Sequence, residues 1–211
     1  MNIKEKAAYC VEALKKEYPE PVCSLEYTDP LQLLIATRLA AQCTDARVNM
    51  VTPALFERFP DMNAFAEAEV EEIEKLIHSC GFYHSKAKDI KALCQVLRDE
   101  RGGVIPDTVE ELIKLPGVGR KTANLIVGDI FGKPAVVTDT HAIRITGLLG
   151  LTDNTVPVKV ERDLRACLEP EESNDFCHRL VLHGRAVCVA RRPKCEECCM
   201  KEVCRYYKEE K

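Results

Sequence analysis

The stretch LPGVGRKTANLIVG, Leu115 to Gly128, ends one helix and starts another. Upstream of it, IPDTVEELIKL supplies Pro106, a capping candidate in Asp107 or Thr108, and Glu110 or Glu111 three residues on, which together mark a helix start. That helix is expected to run about two turns before Pro116 and Gly117 stop it. Gly119 permits a second unusual backbone conformation, after which RKTANLIVGDIF resumes helical character until Gly132. The expected local structure is therefore helix, hairpin, helix.

Glycines at 117 and 119 let the hairpin backbone approach a ligand closely, and the start of the next helix presents N–H groups suited to a phosphate. Such a turn can hold a nucleic-acid backbone without reading bases. The turn alone is equally compatible with a plain corner between two helices. Lys121 adds a chemical reason to look further. It falls in the first turn of a helix beside Arg120, where a second positive charge is disfavoured by the dipole and by its neighbour. A neutral amine is a nucleophile.

The rest of the chain is mainly helical in pattern. Val70, Ile73, Leu76 and Ile77 share one helical face, as do Ile90, Leu93, Cys94 and Leu97. Leu31 to Ala41 and Leu164 to Leu168 also read as helix, whereas the one candidate strand, Ala135 to Val137, is too short to build a sheet. An all-α fold follows. With 211 residues, 46% of them hydrophobic and 30% charged, the composition is that of a packed globular protein. No apolar run reaches the roughly 18–20 residues of a membrane span, and the charged amphipathic N-terminus lacks the apolar core of a signal peptide. No membrane partner and a cytoplasmic location are expected, nucleoid-associated if the source is bacterial.

The net charge of −4 weighs against a polyanionic partner, yet it hides a division. Between Glu57 and Lys75 seven acids face only two basic residues, while between Gly184 and Lys211 eight Lys or Arg face five Glu. An acidic face and a basic C-terminal end can coexist, so total charge does not decide the partner.

Twelve cysteines without an export signal read as reduced thiols, some of them on a metal. Seven are scattered and suit small buried positions, whereas Cys188, Cys195, Cys198, Cys199 and Cys204 crowd together. Four of these follow the spacing C-x6-C-x2-C-x5-C, from Cys188 to Cys204, with Cys199 as an extra thiol. Four thiolates within 17 residues can encircle one metal centre, and chemistry alone leaves zinc and a [4Fe-4S] cluster both open. The five histidines form no metal-ligand spacing, so structural roles are expected for them.

The string LPGVGRKTANLIVGDIFGKPAVVTDTHAIRI, Leu115 to Ile145, resembles the helix-hairpin-helix and following acidic loop of the endonuclease III family of DNA glycosylases. The resemblance implies that Lys121 is the nucleophile and Asp139 its essential partner; taken alone, Asp139 reads more simply as a helix N-cap. The cysteine spacing also resembles that family's iron–sulfur loop, which selects [4Fe-4S] over zinc on Cys188, Cys195, Cys198 and Cys204. Around these ligands, basic residues such as Arg191 become candidates for DNA phosphates.

A glycosylase extracts its target nucleotide and must fill the hole that remains. Two segments resemble the family's filling loops: LAAQCTD, offering Gln42, and SCGFYHSKA, offering Phe82 where an aliphatic residue is expected. An aromatic ring can still wedge between bases, with an altered preference for the opposite base. Gly117, Gly119 and Arg120 complete the implied DNA contacts.

The resemblance thus implies two all-α domains, a helical barrel carrying the hairpin over residues 21–132 and a discontinuous cluster domain from residues 1–20 and 133–211. It implies a monomeric bifunctional glycosylase and abasic-site lyase acting on duplex DNA with damaged pyrimidines or abasic sites, with Lys121 and Asp139 meeting between the domains. The competing expectations are a monofunctional mismatch glycosylase, which needs no lysine, and a non-catalytic DNA-binding hairpin protein.

Overall fold

The computed structural model describes residues 1–210, and among them every regular element is helical. The chain divides into two compact units, one continuous over Cys23–Phe131 and one assembled from Met1–Val22 and Gly132–Lys211.

The discontinuous unit begins with α1 (Ile3–Glu17), which starts on a capping box in which the Asn2 side chain and Glu5 satisfy each other's backbone N–H. Its apolar stripe of Ala7, Cys10, Val11 and Leu14 is buried.

The continuous unit comprises α2 (Pro30–Ala40), α3 (Asp45–Arg58), α4 (Met62–Glu67), α5 (Val70–Ile77), α6 (Tyr83–Arg101), α7 (Val109–Leu112) and α8 (Arg120–Asp129). Side-chain caps start three of them, with Asp29, Thr44 and Asp61 accepting from the backbone of α2, α3 and α4. The long α6 packs against α4 and α5, while α8 packs against α2 and α7. Ile90, Leu93, Cys94 and Leu97 of α6 are buried, as the periodicity predicts; on α5, Ile73 and Ile77 are buried and Val70 and Leu76 partly so. Gly102 at φ +58° closes α6, and the Gly103 N–H reaches back to the Leu97 carbonyl at 2.8 Å.

After Gly132 the discontinuous unit resumes with α9 (Thr140–Leu149), α10 (Pro157–Cys167), α11 (Ser173–Ala186) and α12 (Arg205–Glu210). Residues 135–137 are buried but form no strand. Helix α11 packs against both α1 and α9. Polar contacts bind the chain ends: Lys6 Nζ donates to the Leu149 carbonyl at 3.1 Å, Lys15 pairs with Glu172, and Arg179 Nε donates to the Tyr18 carbonyl at 3.0 Å.

Candidate functional site

The hairpin forms as helix, turn, helix, with two departures from expectation. Helix α7 runs for one turn rather than two, because the chain tightens at once: Lys114 N–H bonds to the Glu111 carbonyl, Leu115 to Leu112 and Val118 to Leu115. Gly119 is extended, at φ −91° and ψ 170°, a conformation open to any residue. Gly117 is the constrained glycine. Its φ is +71°, and a Cβ there would lie 2.9 Å from the Asp89 Cβ and 3.0 Å from the Arg38 Cδ.

Those two residues form the floor of the turn. Arg38 of α2 pairs with Asp89 of α6 at 2.6 Å and donates to Ser85 Oγ at 3.0 Å. Leu115 and Val118 bury their side chains and fix the turn from within. At Gly119 no added Cβ would meet any atom within 4 Å, so the outer surface of the turn is open. Helix α8 then starts without a side-chain cap, and Arg120 and Lys121 are exposed in its first turn. An uncapped helix start with two cations beside it attracts an anion.

Asp139 belongs to the other unit, where it is the N-cap of α9. Its Oδ1 accepts from the Ala142 N–H at 2.7 Å, so the simpler reading of this residue holds. The cap fixes the carboxylate in position while leaving it partly exposed. Close packing supports this helix. A Cβ on Gly184 of α11 would collide with the His141 ring, two residues after the cap.

Gln42 and Phe82 occupy the tips of two turns in the continuous unit. Both are exposed, and among the described residues they alone adopt positive φ without being glycine, at +55° and +47°. Left-handed backbone at a non-glycine residue costs of order 1 kcal/mol and concentrates at functional positions. Phe82 in particular leaves a ring 68% exposed. Arg191 is also exposed, in the cysteine segment of the discontinuous unit.

Cys188, Cys195, Cys198 and Cys204 all line one cavity, whose other walls include Ile145, Leu149, Val187 and Met200. Among the described residues, no three His, Cys, Asp or Glu side chains already converge on a single metal-ion position. The sulfurs nevertheless meet hydrogen-bond donors suited to thiolates. Arg144 Nη1 donates to Cys188 Sγ at 3.5 Å, and the Met200 N–H donates to Cys198 Sγ at 3.4 Å. Burial pushes the Cys188 thiol up and the Cys198 thiol to about 12, so these groups hold their protons until a cation replaces them.

His183 is a contributor that the sequence pattern does not disclose. Its ring lies between the Tyr18 hydroxyl, 3.2 Å from Nδ1, and Cys198 Sγ, 3.4 Å from Nε2. Burial, with the charge of Arg144, pushes it down to about 4, so the ring is neutral. It thereby links the end of α1 to the cysteine cavity.

A family model described as the HhH-GPD superfamily of base excision DNA repair proteins matches residues 35–170. Endonuclease III of Synechocystis is 50% identical over 95% of this chain and 92% of its own length, and that of Escherichia coli K12 is 36% identical over 96% of each. The chain belongs to the endonuclease III family. Among solved structures of that family, a trapped covalent endonuclease III–DNA intermediate in an estranged-adenine complex superposes with a TM-score of 0.92. It is 40% identical and covers 100% of this chain and 99% of its own. The endonuclease III fold accounts for an all-helical chain interrupted by one glycine hairpin.

Proposed function

We propose that Lys121 and Asp139 carry the bifunctional DNA glycosylase and abasic-site lyase activity that this chain shares with its family, on damaged pyrimidines in duplex DNA. The observation that carries the assignment of Lys121 is its placement: exposed, in the first turn of α8, directly after the open-faced glycine turn. Backbone N–H groups at that turn and Arg120 would grip phosphates and present the amine to the sugar.

In the proposed reaction the neutral Lys121 amine attacks C1′ of the flipped nucleotide, and the C1′–N bond breaks with its electron pair leaving on the base. Asp139 stabilises the positive charge that develops on the sugar and assists the proton transfers from the amine and to the departing base. Ring opening gives an iminium between Lys121 and C1′. Loss of a C2′ proton then expels the 3′ phosphate, which nicks the strand, and water releases the enzyme. Gln42 and Phe82 fill the space left by the extruded nucleotide, and Arg191 contributes to backbone binding.

Cys188, Cys195, Cys198 and Cys204 would hold a [4Fe-4S] cluster, which supplies a covalent staple for the segment between Val187 and Arg205 and no electrons to the reaction. The shared cavity and the N–H donors aimed at two of the sulfurs support this fit. The protein would act as a monomer in the cytoplasm, on nucleoid DNA if bacterial; among the described residues no helix is long and apolar enough to cross a membrane.

Borohydride trapping on a duplex with one thymine glycol tests the reading directly. A covalent adduct that is absent with Lys121→Gln is the expected result. No adduct from active, cluster-loaded protein, on either that duplex or one with a preformed abasic site, would remove Lys121 from the mechanism.

A further inference from the structure

The turns carrying Gln42 and Phe82 lie far apart in sequence, yet one buried side chain joins them. Lys86 is 1% exposed, and its Nζ donates to the Leu39 carbonyl at 2.8 Å and to the Cys80 carbonyl at 2.9 Å. Leu39 lies three residues before Gln42, and Cys80 two residues before Phe82. The Lys86 main chain is bound as well, its N–H donating to the Phe82 carbonyl at 3.1 Å. The Cys80 thiol also lies near that of Cys43, burial and this neighbour together pushing it up, and Cys43 directly follows Gln42.

A buried ammonium is a costly way to join two carbonyls. Desolvating a cation is unfavourable, while an apolar side chain of similar length would leave the Leu39 and Cys80 carbonyls without this donor. What lysine offers is a fork of donors on a long stem that can bridge two separate chain segments. Both segments end in a left-handed non-glycine residue, so each turn is held in a conformation it does not favour by itself. Without the bridge, each turn is free to relax independently.

We propose that Lys86 is a positioning residue that locks the Gln42 and Phe82 turns at one separation, so that both side chains enter the vacated space as a single unit and together set which opposite base is accepted. The proposal rests on the gap-filling reading of Gln42 and Phe82 given above. Ordering both turns before DNA arrives removes that entropic cost from the encounter, and loosening them by an ångström is enough to slow a positioned reaction.

The test uses full-length, cluster-loaded protein and four duplexes, each with one thymine glycol opposite A, G, C or T. Lys86→Met keeps the length of the side chain and removes its donors. In folded Lys86→Met, single-turnover excision should fall by about 10-fold or more, and the spread of rates among the four opposite bases should narrow. A 2-aminopurine placed opposite the lesion should lose part of the fluorescence change that the unaltered protein produces. Adding Gln42→Ala or Phe82→Ala to Lys86→Met should cost less than either does alone.

Unaltered excision and base ranking in Lys86→Met, beside defective Gln42→Ala and Phe82→Ala, would overturn the lock and leave gap filling standing. Normal behaviour of Gln42→Ala and Phe82→Ala would overturn gap filling, and the lock with it. Should Lys86→Met fail to fold, exchange of the Lys86 Nζ protons in the unaltered protein decides. Slow exchange retained on the lesion duplex supports the lock, and rapid exchange there overturns it.

Discussion

The hairpin that carries Lys121 and the segment that carries the four cysteines are held in different ways. The hairpin is gripped from both sides by helices, seated on the Arg38–Asp89 pair and anchored by buried Leu115 and Val118. The cysteine segment has two 3-10 turns, at Cys195–Glu197 and Lys201–Val203, and closes on a few backbone bonds such as Lys194 N–H to the Val187 carbonyl at 3.0 Å. A turn packed among helices carries its own stability, whereas a loop with so little regular structure would draw its order from the metal centre proposed for its thiols.

The largest way to break this comparison is Cys198→Ser. We expect loss of the broad absorbance near ~400 nm and of amide protection across residues 187–204, while residues 115–128 keep theirs. Equal loss of protection in both segments would show that the hairpin depends on the cluster too. Next comes Gly184→Ala, which drives a methyl group into the His141 ring and should destabilise the protein by about 3 kcal/mol in urea denaturation.

The hairpin can be probed with its two glycines. Gly117→Ala combines positive φ with contact on Asp89 and Arg38 and should cost roughly 1–3 kcal/mol. Gly119→Ala, extended and unobstructed, should change stability by less than about 0.5 kcal/mol while weakening duplex binding. Reversed stabilities in a urea titration would refute this assignment of the two positions. Two substitutions separate capping by Asp139 from its proposed part in the reaction. Asp139→Ala should lose about 1 kcal/mol of capping, whereas Asp139→Asn keeps the cap and should lose turnover with little change in melting temperature. Full turnover by Asp139→Asn would leave that residue a cap alone.

Much of this was legible in the sequence because it depends on local rules. Pro116 and Gly117 announce the stop, and the aspartate before Thr140 announces a cap. Periodicity finds the buried faces of α5 and α6. Gly119 misled because a glycine's freedom does not reveal whether it is used, and the left-handed backbone at Phe82 has no signature in a phenylalanine. Lys86 and His183 were illegible for a different reason. The partners of Lys86 at Leu39 and those of His183 at Tyr18 lie 47 and 165 positions away, and the Leu39 acceptor is a main-chain carbonyl that leaves no mark on residue type.

The discontinuity of the cysteine-bearing unit also sets an order of events during synthesis. Residues 23–131 form a unit that is complete before any of the four clustered cysteines has been made, so the hairpin can be complete early. Helix α1, although made first, waits for Leu149, Glu172 and Arg179 before its polar contacts exist. The fourth cysteine of the set, Cys204, follows all of these partners in the chain. Any metal centre that uses all four thiols is therefore completed only after residues 23–131 and every polar partner of α1 have been made.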